Sequence, residues 1–77
     1  MKTQDIILEG VFKYGRRKTF AEILQEAGVV VSDVELIKIA KELQRSGMTQ
    51  ATTYGPDASI RADISSQGED MFYYLLS

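Results

Sequence analysis

A chain of 77 residues has room for one domain with a thin core, because small domains bury a modest share of the surface their unfolded chain exposes. Cysteine and histidine are both absent, which removes disulfides, thiolate nucleophiles, imidazole bases and the usual zinc ligands together. Nine Lys and Arg against eleven Asp and Glu leave a formal charge of −2, unlike an efficient nonspecific nucleic-acid binder, so binding to nucleic acid would have to come from local clustering.

Thr3 is placed to cap a first helix over about 3–14, with Ile6, Ile7, Leu8, Val11, Phe12 and Tyr14 as its apolar residues and Gly15 as its end. These residues cover more than one packing stripe, so part of the helix is free to face a partner. Arg16-Arg17-Lys18 is a short basic connection. Thr19 then caps a second helix over about 19–27, in which Phe20, Ile23, Leu24 and Ala27 recur at helical spacing and which Gly28 ends.

The β-branched run Val29-Val30-Val31 suits an extended turn. Ser32 and Glu35 are spaced as a capping box and open a third helix, about 32–46. Leu36, Ile39, Ala40 and Leu43 lie on one side of it and Lys38, Lys41, Glu42 and Arg45 largely on the other, and Ser46-Gly47 stops it.

From Met48 the period changes to two. The spacing predicts a β-hairpin with strands at about 48–54 and 59–65 around the turn signal Gly55-Pro56-Asp57, with Ile60, Ala62 and Ile64 alternating with polar residues. Ser65 or Ser66 caps a last helix over about 66–76, Ser66 and Glu69 again standing at capping-box spacing. The whole chain, 1–77, is one α+β domain. No glycine-rich phosphate loop or nucleophile motif frames its carboxylates and hydroxyls, so no catalytic residue, cofactor or metal is expected and the chain does not read as an enzyme. Met1-Lys2-Thr3-Gln4-Asp5 and the interruptions at Glu9, Gly10 and Lys13 exclude a signal peptide and a membrane span, and a cytoplasmic protein is expected.

Leu36, Ala40, Leu43, Gly47 and Met48 follow the pattern apolar-x3-apolar-x2-apolar-x3-Gly-apolar. One hairpin later, Ile64-Ser65-Ser66-Gln67-Gly68-Glu69-Asp70-Met71-Phe72 follows apolar-Ser/Thr-x2-Gly-x3-apolar. Together, and in this order, the two segments resemble the recognition helix and the wing-to-last-helix segment of winged helix-turn-helix proteins of the small stand-alone prokaryotic or phage type. The resemblance covers essentially the whole chain and implies a three-helix core with a β-hairpin wing and a C-terminal helix.

It also implies a DNA-binding transcriptional regulator with the third helix in the major groove of double-stranded DNA. Ser32 and Asp33 would then lie at the start of that helix and Val34, Ile37, Lys38 and Lys41 along its outer face, with Arg45 further down. Arg16, Arg17, Lys18 and Arg61 would be backbone contacts, and Thr52, Thr53 and Tyr54 would offer hydroxyls. Lys38, Lys41 and Arg45 are equally the solvated face of a helix, pairing with Glu35 and Glu42.

Met71-Phe72-Tyr73-Tyr74-Leu75-Leu76 is apolar or aromatic all round. The resemblance suggests a homodimer through the terminal helices, with Tyr73, Tyr74 and Leu76 as its contacts, against a plain intrachain core of Ile7, Met71, Phe72 and Leu75. A second reading of the same residues is a protein-interaction module without DNA binding, whose apolar patch is Val30, Val31, Val34 and Ile37.

Overall fold

The computed structural model describes residues 2–76, with side chains through residue 74. Its elements run α1 (Thr3–Tyr14), a 3-10 turn (Gly15–Arg17), α2 (Phe20–Glu26), α3 (Asp33–Arg45), β1 (Thr49–Gly55), a second 3-10 turn (Pro56–Ala58), β2 (Ser59–Ile64) and α4 (Ser66–Leu76). β1 and β2 form a two-stranded antiparallel sheet. The molecule is therefore a small α+β domain of four helices and one hairpin.

Side-chain caps account for where α2, α3 and α4 begin. Lys2, not Thr3, is the N-cap of α1, and it supplies no side-chain bond. At α2 the Thr19 hydroxyl accepts from the Glu22 amide at 3.2 Å while the Glu22 carboxylate accepts from the Thr19 amide at 2.9 Å, a complete capping box. The Thr19 backbone amide first and the Thr19 hydroxyl second hold the Glu22 carboxyl below its ordinary value, with the positive charges of Arg61 and Lys18 adding to the effect. At α3 only half of the expected box forms: Ser32 Oγ accepts from the Glu35 amide at 3.1 Å. At α4 the cap is Ser65, whose Oγ accepts from the Gly68 amide at 2.9 Å, so Ser66 is the first helical residue and the Ser66–Glu69 box is not made.

The ends of α2 and α3 share one device. Gly28 and Gly47 both stand at φ +76, and in each case the next amide reaches back to the helix, Val29 N to Leu24 O at 2.9 Å and Met48 N to Leu43 O at 3.0 Å. Only a residue without a Cβ takes that left-handed conformation at little cost.

The core gathers Ile7 and Val11 from α1, Phe20, Ile23 and Leu24 from α2, Leu36, Ile39, Ala40 and Leu43 from α3, and Ile60 and Ala62 from β2. Helix α1 approaches α2 at Gly10, where an added Cβ would stand 2.3 Å from Ile23 Cγ2. β2 closes the core with its inward residues. β1 contributes only Thr49 to the buried set and lies at the outside of the hairpin.

The excess apolar surface of α1 and α4 is partly used within the chain. Phe12 stacks on Phe72 with ring centroids 4.3 Å apart, and Tyr73 meets both rings edge-on. The expected core quartet is not what forms: Ile7 is fully buried, Phe72 half-buried and Met71 37% exposed, while the side chains of Leu75 and Leu76 lie outside the described residues.

Candidate nucleic-acid interface

α3 is fixed from behind at its C-terminal end. The carbonyls that follow its last turn are met by the start of α4: the Ser65 amide donates to Met48 O at 3.2 Å, Ser65 Oγ donates to Gly47 O, and Gln67 Nε2 donates to Ser46 O at 3.0 Å. A Cβ on Gly68 would stand 2.0 Å from Met48 O, so only glycine lets α4 start this close. The two segments singled out in the sequence, around Gly47-Met48 and around Ser65-Gly68, thus form one hydrogen-bonded seam.

The hairpin is fixed to the same helix and to the turn after α1. Tyr54 donates its hydroxyl to Gln44 Oε1 at 2.9 Å. The strand register slips by one residue between Gln50 and Thr53, and in that bulge Ala51 takes φ +53, a left-handed conformation unfavourable for a residue with a Cβ. Arg16 fills the bulge: its guanidinium donates to Ala51 O and, at 2.7 Å, to Thr53 Oγ1. Arg61 Nη1 in turn donates to Arg16 O at 2.7 Å.

These contacts change the reading of the basic residues. Arg16 and Arg61 hold the hairpin, Arg17 donates to the Tyr14 and Lys13 carbonyls at 3.1 and 3.2 Å and so closes the end of α1, and Lys18 pairs with Glu26 while lying 4.2 Å from the Tyr14 ring centroid. The expected free cluster Arg16-Arg17-Lys18 is therefore a set of internal ties. Glu26 is held below its ordinary value by the Lys18 bond first and the Tyr14 hydroxyl second, and Lys18 is raised above its own by the same pair. Nor do the hairpin hydroxyls stand free: Thr53 accepts from Arg16, Tyr54 donates to Gln44, and Thr52 lies 3.4 Å from the Thr49 hydroxyl.

The outer face of α3 is different. At about 100° per residue, Val34, Lys38, Lys41 and Arg45 fall within roughly 60° of arc, opposite the buried Leu36, Ile39, Ala40 and Leu43. All four are exposed, and among the described residues Lys38, Lys41 and Arg45 take part in no ion pair or side-chain hydrogen bond. The expected pairing with Glu35 and Glu42 is not made; those carboxylates lie along one flank of the stripe. Ile37 lies on the other flank, half-buried against the core, so that only part of it faces outward. Together with Ile37 and Glu42, the stripe residues surround a shallow depression of about 340 Å³.

At the N-terminal end of α3 stand the exposed Ser32 and Asp33, the Ser32 hydroxyl already engaged with Glu35 N. Beside them Val30 is 96% exposed over a second cleft formed by Ala21, Gly28, Val29, Val31 and Leu36. On α4, Tyr73 and Tyr74 are 54% and 74% exposed.

Among the described residues no group of His, Cys, Asp or Glu is placed to hold a metal ion, and no helix is long and apolar enough to cross a membrane. Neither a family model nor a curated protein nor a solved structure matches this chain.

Proposed function

We propose that this chain is a winged helix-turn-helix DNA-binding domain, a transcriptional regulator that lays α3 in the major groove of double-stranded DNA with the hairpin as its wing, working as a homodimer. The observation that carries this reading is the stripe of unpaired Lys38, Lys41 and Arg45 on the solvent face of α3. Cations left without partners on a rigid helix, in a chain whose net charge is negative, provide the local positive surface that phosphate contact needs. The seam at Gly47 and Gly68 and the Tyr54–Gln44 bond support it, because both hold α3 and the hairpin in a fixed relation.

Duplex binding by fluorescence anisotropy at low and raised salt tests the proposal. The wild type binds and weakens as salt rises, and K38A/K41A binds more weakly with a salt slope smaller by about 1 for each phosphate that is no longer neutralised. R17A, whose donors serve the end of α1, changes that slope much less.

A second reading, a protein-interaction module, is favoured by the exposure of Val30 over its apolar cleft. Absence of duplex binding by the wild type at low salt would overturn the DNA reading and leave this one.

A further inference from the structure

Val34 is the exception on the α3 stripe. It is the second residue of the helix, 78% exposed, and shares its face with three free cations. Valine is a poor helix former, and its methyl groups gain nothing by standing in water. Lys38 and Lys41 reach the groove through flexible stems, whereas valine in a helix holds essentially one rotamer and presents its methyls as a fixed surface.

The N-terminal residues of a groove-bound helix are those that meet base edges, while residues further along meet phosphates. In the major groove the one apolar feature of a base edge is the thymine C5 methyl. We propose that Val34 reads a thymine: its side chain packs on the C5 methyl of a T·A pair, one helical turn from where Lys38 engages the same groove. This rests on the DNA-binding reading above. The occupant is duplex DNA, not an apolar protein surface, because the valine shares its stripe with three unpaired cations, the acids Glu35 and Glu42 standing on the flank.

The test uses a duplex enriched by the full chain from a randomised pool, with thymines replaced one at a time by deoxyuridine, which removes only the methyl. The wild type is expected to bind about three- to fivefold more weakly when one particular thymine in each half-site is replaced, the value of one buried methyl. V34S, checked for an unchanged melting curve, is expected to bind the thymine and deoxyuridine forms equally while keeping the wild-type salt slope, since no charge has changed.

Equal binding of every substituted duplex by the wild type, or discrimination retained in V34S, overturns the role of Val34 and leaves DNA binding standing. If no duplex is enriched or bound, both fall, and the exposed valine belongs to a protein contact.

Discussion

Single atoms decide several positions in this chain. Gly68 lies within α4 and is not in the left-handed region, so its requirement is spatial: Met48 O occupies the place a Cβ would take. G68A is expected to lower stability by about 1–3 kcal/mol, because the nearest atom is backbone and cannot swing aside. For a domain of this size that is a melting temperature lower by roughly 4–8 °C for each kcal/mol. Gly28 is the comparison, with open space around its Cβ but φ +76, so G28A is expected to incur only the backbone penalty of about 1 kcal/mol. An unchanged melting curve for G68A would mean that α4 does not seat on Met48. Both glycines stand out in the sequence, Gly28 as the end of the second helix and Gly68 within the segment that leads into the last one. Their different reasons do not, because one is a matter of dihedral angle and the other of a neighbour about twenty residues away along the chain.

Among the elements, the hairpin depends most on a residue outside itself. β1 has an extra residue opposite Ala62, and Ala51 is held there in a left-handed conformation while Arg16 binds its carbonyl. R16A is expected to destabilise the domain by about 1 kcal/mol and to raise amide exchange most in the stretch Ala51–Tyr54, which hydrogen exchange followed by NMR reads directly. Uniform protection in R16A would show that the bulge is held by the strands alone. The period-two pattern marks both strands in the sequence, and the β2 alternation of Ile60 and Ala62 is legible there too. The bulge is not, because threonine and alanine carry no local signal for it; the groups that meet it come from other elements, Arg16 after α1 and Gln44 of α3, which receives the Tyr54 hydroxyl. The same blindness applies to Arg16, Arg17 and Lys18, which read as a basic cluster until the carbonyls and carboxylate they meet are known.

Two exposed surfaces of different chemistry stand on the molecule: the α3 stripe, cationic but for Val34, and an aromatic surface. The α3 stripe faces one way, and the aromatic ends of α1 and α4 make a surface of their own, where Phe12, Phe72 and Tyr73 pack together and Tyr74 remains largely exposed. If that second surface joins two copies, Y74K places a charge in the interface. The wild type is then expected to sediment as a dimer and Y74K as a monomer with unchanged circular dichroism; a monomeric wild type would overturn the homodimer. The four α-helices and the hairpin, the inward faces of α3 and β2, and the glycines that end α2 and α3 are legible in the sequence alone, because hydrophobic period and turn chemistry act within a few residues of chain. Only the tertiary structure decided which of the cations are free and which are ties, that Ile37 leans on the core while Val34 does not, and that Gly47 and Gly68 belong to one seam. Those depend on carbonyls, carboxylates and rings supplied by distant segments, and a side chain's availability to a partner is what remains after its own fold has used it.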